Sequence, residues 1–159
     1  MQQPPAAGRD HPGVIAPPPL IHLGALALGA VLEWLLPTRT LPDPVRIPAG
    51  AALLILGLAL IAAAVLQFRR AQTAVEPWKP STALLRSGLY RWSRNPIYVA
   101  GTIASIGIAL LADSLWMLAA LIPAVLLLHY GVVLREERYL EARFGAAYRD
   151  YKAAVRRWL

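Results

Sequence analysis

Cysteine is absent from this chain. That excludes a disulfide framework, Cys-ligated zinc, an iron–sulfur cluster and a thiol nucleophile. Histidine is nearly absent too. His11, His22 and His129 share no ligand spacing, so no metal site is expected. Charge is scarce: 16% of the residues are Asp, Glu, Lys or Arg, against about 25% in an ordinary soluble domain. Acidic residues are the scarcer kind, nine against sixteen basic ones, which leaves a formal charge of +7. The sequence shows no glycine-rich phosphate loop and no internal repeat.

What remains is apolar. Hydrophobic residues make up 57% of 159 positions, and the mean hydropathy is +0.49. A chain of this kind is neither disordered nor a natural soluble globule, because so much apolar surface needs a second apolar solvent. Its positive charge then points to an anionic membrane surface. The basic residues cluster at the ends of apolar runs, so nucleic-acid binding has no separate support.

The expected fold is all-α: a polytopic membrane protein with four transmembrane helices and a C-terminal amphipathic helical tail. Residues 1–19 carry six prolines and almost no large apolar group, and read as a disordered tail. With only Arg9 ahead of the first apolar run, they make a poor signal peptide. The four runs are Leu20–Leu36, Ile47–Phe68, Ile97–Ala112 and Leu115–Leu134. A span needs roughly 20 residues, so the second and fourth qualify readily, the first is slightly short and the third is short. Asp113-Ser114 reads as a tight polar turn that makes the last two helices an antiparallel hairpin. Residues 20–74 then form a two-helix scaffold. Residues 75–159 carry a loop, the hairpin and the tail. Gly145 divides the tail in two, and its aromatics at steps of three and four let it lie on the membrane or fold back over the second loop.

Four spans put the N-terminus, the second loop and the tail on one side. That side holds fourteen basic residues, and the other holds only Arg39 and Arg46. The positive-inside rule places both termini and the second loop in the cytoplasm.

Two patches on that side can carry chemistry. In Gly88-Leu89-Tyr90-Arg91-Trp92-Ser93-Arg94-Asn95-Pro96-Ile97-Tyr98, Asn95-Pro96 is a helix-start signal. A helix N-terminus beside an arginine suits an anionic group, and the aromatics can stack on a flat ring. The same residues also read as an interfacial Arg-Trp-Tyr belt with a helix cap. Arg135-Glu136-Glu137-Arg138 can hold a cationic ligand, or be a helix exit neutralised by its own arginines. The hairpin forces the two patches side by side. Together they suit a zwitterionic ligand with a carboxylate, an ammonium and an aromatic ring.

Gly88-x-Tyr90-x-x-x-Arg94-Asn95-Pro96-x-Tyr98, then Glu136-Glu137, then Phe144-Gly145-x-x-Tyr148-x-x-Tyr151, resembles the isoprenylcysteine carboxyl methyltransferase and phospholipid methyltransferase superfamily. The resemblance covers about half the chain, from Val75 onward. It implies an integral membrane methyltransferase of bacterial type, in the inner membrane, that uses S-adenosylmethionine on a lipid-like or isoprenoid-linked acceptor. It also implies that Arg94, Asn95, Pro96, Tyr98, Glu136 and Glu137 line the cofactor site, with Gly88, Tyr90 and Gly101 weaker candidates. Glu137 and Arg94 are the catalytic candidates. The eukaryotic enzymes usually read Arg-His-Pro where this chain has Asn95, which makes transfer of their substrate unsafe. Either carboxyl O-methylation or amine N-methylation fits.

Other classes stay open. Membrane sterol reductases that use NADPH look similar around the Arg-x-Pro-x-Tyr region. A small four-helix transporter would use Glu33, although a position near the external face also makes Glu33 an interfacial group. A fourth reading is a non-catalytic membrane adaptor that keeps the fold. His129 lies seven residues before Glu136, on roughly the same helical face, and can line an acceptor path or simply be a hydrogen-bonded helix residue. Pro123 can kink the fourth span. Ala25/Gly29 and Gly101/Ser105 are small-residue pairs that let helices approach.

Overall fold

The computed structural model describes residues 11–159. All regular structure among them is helical. Helix α1 is Pro18–Leu35, α2 is Asp43–Arg70, α3 is Pro96–Leu111 and α4 is Leu115–Leu128. A π-helical stretch, His129–Val133, carries α4 into α5, Leu134–Phe144, and α6 is Ala146–Ala154. A 3-10 turn, Gly88–Arg91, lies in the long connection before α3.

Local chemistry sets most of the ends. Proline occupies the first helical turn of α1, α2 and α3, where its missing N–H is no loss. Ser114 caps α4 by accepting from the Met117 amide at 3.2 Å. Asp113 takes a left-handed φ of +50° to turn the chain, and its carboxylate accepts from the Thr40 and Leu41 amides. Gly145, at φ +55°, ends α5.

Pairing is not what chain order suggests. Helix α2 lies mainly along α3, and α1 along α4. Close approach depends on glycine. A Cβ at Gly57 would fall 2.6 Å from the Ala104 amide nitrogen, and one at Gly107 would fall 2.5 Å from that of Leu54. Gly29 makes the same room against Met117. Gly101 packs beneath the His22 ring, 3.1 Å from where its Cβ would be. His22 also touches Thr102 and the Pro18 carbonyl.

Among the described residues, three helices are long and apolar enough to cross a membrane: α1, α2 and the continuous Leu115–Phe144 helix. At 16 residues, α3 reaches only about 24 Å, short of the roughly 30 Å hydrocarbon core. The contacts Gly57–Ala104 and Gly50–Leu111 put Pro96 level with about residue 63 of α2. Helix α2 therefore overhangs the start of α3 by roughly 10 Å. The α3 N-terminus is recessed, and the connection over residues 71–95 must descend to reach it.

Several expectations need correction. The segment after Leu134 is not a separate tail at its start, because α5 continues the fourth apolar helix. Residues 11–17 are not a free tail. The Ile15 amide donates to Gly131 O at 3.2 Å, and Arg135 donates to Gly13 O at 2.8 Å. Residues 1–10 lie outside the described residues. Asn95 does not cap α3, since its side chain makes no capping bond. Glu33 is taken up locally, accepting from the Thr38 hydroxyl at 2.7 Å and from the Thr38 amide.

Candidate active site

A cavity of about 90 Å³ lies where α2 ends, α3 begins and α5 begins. Of the sequence-predicted residues, Tyr90, Arg94, Asn95, Tyr98, Glu136 and Glu137 line it. Pro96 and Gly101 do not. Pro96 is buried in the first turn of α3, and Gly101 faces His22, so Gly101 serves helix packing. Gly88, at φ +59°, leaves room for the Gln67 side chain and brings the 3-10 turn against the end of α2. Phe68 and Tyr90 then meet edge to face, with ring centroids 5.6 Å apart.

The two glutamates have different surroundings. Glu137 sits on the inner side of α5 with its side chain 7% exposed. Its Oε1 lies 3.0 Å from Arg94 Nη1 and 2.9 Å from Arg157 Nε, and its Oε2 accepts from Arg157 Nη2 at 3.0 Å. Both carboxylate oxygens are engaged. Glu136 Oε1 accepts from the Tyr98 hydroxyl at 2.8 Å, while its Oε2 has no protein donor among the described residues. Arg94 is 8% exposed and faces Glu137, with its charge close enough to Tyr148 to pull on that phenol. Its Nε–H is buried without a partner. A buried donor of this kind costs about 1–3 kcal/mol unless something accepts from it.

Three tyrosines complete the wall. Burial raises the phenols of Tyr90 and Tyr151. Burial, with Glu137 beside it, pushes Tyr148 up to about 12, against the pull of Arg94. All three stay protonated near neutrality and act as donors and stacking surfaces, not bases. The hydrogen bond to Glu137 raises Arg157 still further above its ordinary range. Tyr151 donates to Tyr90 O at 2.7 Å, which ties α6 to the 3-10 turn.

Of the two placements open to the tail, it folds back over the second loop. The Arg94 amide donates to Arg156 O at 2.9 Å, and Asn95 Nδ2 donates to Arg157 O at 2.9 Å. His129 stacks against Trp158, with centroids 5.9 Å apart, and does not line the cavity. Sequence reasoning missed Arg157, Phe68 and Ser93. Arg157 has no local signal, since its importance comes from a fold that returns it to Glu137.

The phospholipid methyltransferase family model matches residues 45–147. The chain belongs to that family. An uncharacterized protein of Haemophilus influenzae is 43% identical over 60 residues, which is 35% of this chain and 95% of that protein. The structure of the eukaryotic intramembrane Ras methyltransferase, isoprenylcysteine carboxyl methyltransferase, superposes with a TM-score of 0.63 at 23% identity. That match covers 86% of this chain and 49% of the other, so this chain spans about half the length of that enzyme. The likeness is one of fold. The family match takes in the overhanging end of α2, the recessed start of α3 and both glutamates, so it includes most of the cavity wall.

Among the described residues no group of three or more His, Cys, Asp or Glu side chains can hold a metal ion. The donor set suits an organic zwitterion: a buried guanidinium N–H seeking an acceptor, a carboxylate oxygen without a donor, and aromatic walls. The cavity is smaller than the roughly 300–1,000 Å³ usual for small-molecule sites. The segment Ala74–Leu85 covers it and is held to the bundle by few bonds, chiefly Ser81 N to the Tyr139 hydroxyl at 3.1 Å and Thr82 to Gln72 and Thr73.

Proposed function

We propose that this protein binds S-adenosylmethionine in the α2–α3–α5 cavity and methylates a lipid-like or isoprenoid-linked acceptor. The reading rests on one observation. In a phospholipid methyltransferase family chain, one aromatic-lined cavity is lined by Arg94, whose buried Nε–H has no partner, and by Glu136, one of whose oxygens has no donor among the described residues. Arg94 would hold the cofactor carboxylate, Glu136 its ammonium, and Phe68 and Tyr90 would flank its ring. The cofactor, when bound, supplies an electrophilic methyl group. The chain's contribution is alignment and charge placement in a site shielded from water.

The proton bookkeeping favours Glu136 over Glu137 as the base. Glu137 is occupied by two guanidinium groups. An amine acceptor must lose a proton, and Glu136 Oε2 can take it. A carboxylate acceptor needs no base and leaves Glu136 to the cofactor alone. A recessed α3 start suits a site near the membrane edge and an acceptor anchored in lipid. We place the site on the cytoplasmic face of an inner membrane, where the loop charges put it.

Titration calorimetry on detergent-purified protein tests this reading. Wild-type protein is expected to bind S-adenosylmethionine and not NADPH, and Glu136→Gln to bind at least about tenfold more weakly, as for loss of one charged hydrogen bond. No binding by folded wild-type protein with lipid restored would refute it.

A further inference from the structure

The last five residues look like the frayed end of α6, yet they carry the densest set of long-range polar contacts in the site. Val155 leaves the helix in extended conformation, φ −124° and ψ 134°. Arg156 O accepts from the Arg94 amide, and Arg157 O accepts from Asn95 Nδ2 and the Ser93 hydroxyl. Trp158 packs on His129 and against the buried cluster of Leu128, Val132 and Val133. The Arg157 side chain turns the other way and grips Glu137 through Nε and Nη2. These residues form a strap that crosses the α3 N-terminus and closes on α5.

We propose that the strap braces the ligand site from outside the cavity and that Arg157 is its positioning residue, acting through Glu137. This rests on the methyltransferase reading for its ligand, but its geometry stands apart from it. Glu137 faces two guanidinium groups. Arg157 takes the bidentate position, so Arg94 is left with a single 3.0 Å ion-pair contact that lacks hydrogen-bond alignment. That arrangement leaves the buried Arg94 Nε–H without a partner, on a residue that lines the cavity. Without Arg157, Glu137 is a buried carboxylate with one cation, and its strongest remaining contact is the bidentate fork with Arg94. Arg94 would rotate to make it and withdraw its free N–H from the ligand. Arg157 therefore sets the orientation of Arg94 without touching what Arg94 binds.

The test compares Arg157→Ala, Arg157→Lys and a Trp158→Ala variant that loosens the strap without changing charge. Arg157→Ala is expected to weaken S-adenosylmethionine binding about tenfold while its helical circular dichroism stays that of wild type, a coupling of the size usual within one network. Arg157→Lys restores the charge without the fork, and its affinity should fall between the two. Trp158→Ala should weaken binding in the same direction. Hydrogen exchange of the Arg94 amide gives a readout independent of the cofactor, and is expected to speed up in Trp158→Ala and in Arg157→Ala. Wild-type affinity in folded Arg157→Ala would overturn the proposal. If wild-type protein binds no S-adenosylmethionine, the methyltransferase reading fails and the strap is judged by exchange: unchanged Arg94 protection in both variants overturns it, and lost protection supports it.

Discussion

Adjacent glutamates on one helix turn have opposite duties. Glu137 is enclosed by Arg94 and Arg157, takes its hydrogen bonds from Arg157 and meets Arg94 through charge alone. Glu136 spends one oxygen on the Tyr98 hydroxyl and presents the other to the cavity. Replacing Glu137 with Gln leaves two guanidinium groups facing each other with no counter-charge, and breaking a buried pair from one side costs about 3–5 kcal/mol. In Glu136→Gln the amide oxygen still accepts from Tyr98, so the fold should lose no more than about 1 kcal/mol. Thermal unfolding in detergent is therefore expected to show a large drop for Glu137→Gln and almost none for Glu136→Gln, while cofactor affinity falls in the latter. The reverse order of stabilities would mean that Glu136 is the structural member.

At the scale of elements, close helix approach sets the site. The α2–α3 seam is made by Gly50, Gly57 and Gly107 meeting backbone on the facing helix, as expected where helix association relies on contact and not on escape from water. A valine at Gly57 would meet the Ala104 nitrogen at 2.6 Å and the Ala100 oxygen at 2.7 Å. Backbone cannot yield as a side chain does, so Gly57→Val should cost about 1–3 kcal/mol or more and lower the unfolding temperature. Gly24 has nothing within 4 Å of its Cβ position, and Gly24→Val serves as the control that should unfold like wild type. Equal behaviour of the two variants would rule out the seam as the cause.

The elements also show what sequence can and cannot reveal. Pro96 and Asp113-Ser114 were legible because a helix start and a tight turn are local chemistry. The hairpin then forced the Arg94 and Glu136 patches together by connectivity alone. Asn95 misled because the Arg157 carbonyl, 62 residues away, takes its side chain, and no local signal announces that arrival. The Gly50, Gly57 and Gly107 seam looks like ordinary apolar sequence until the facing helix is known. The π-helical stretch inserts its extra residue without any change of composition, and Gly131 within it makes room for Ile15. The same limit hid Arg157.

For the whole molecule, the polar ends of the helices sort into two groups. One end gathers Glu33, Thr38, Asp43, Arg46 and Asp113, stitched by the Thr40, Leu41 and Leu115 amides and by Trp116 Nε1 to Leu36 O at 2.8 Å. The other end holds the cavity, the strap and nearly all the basic residues. Up-down alternation of the helices produces this sorting, and the charge bias sets which end stays inside. A cofactor made in the cytosol requires the cavity end to be there, so orientation is a necessary condition of the proposed function. The absence of cysteine makes the check clean, because any thiol introduced is the only one. Lys79 lies on the loop over the cavity and Thr40 at the opposite end, and both are exposed. In intact cells a membrane-impermeant maleimide is expected to label Thr40→Cys and to reach Lys79→Cys only after permeabilisation. Labelling of Lys79→Cys in intact cells would put the cavity outside, away from its cofactor, and the methyltransferase reading would fail however well the purified protein bound the ligand.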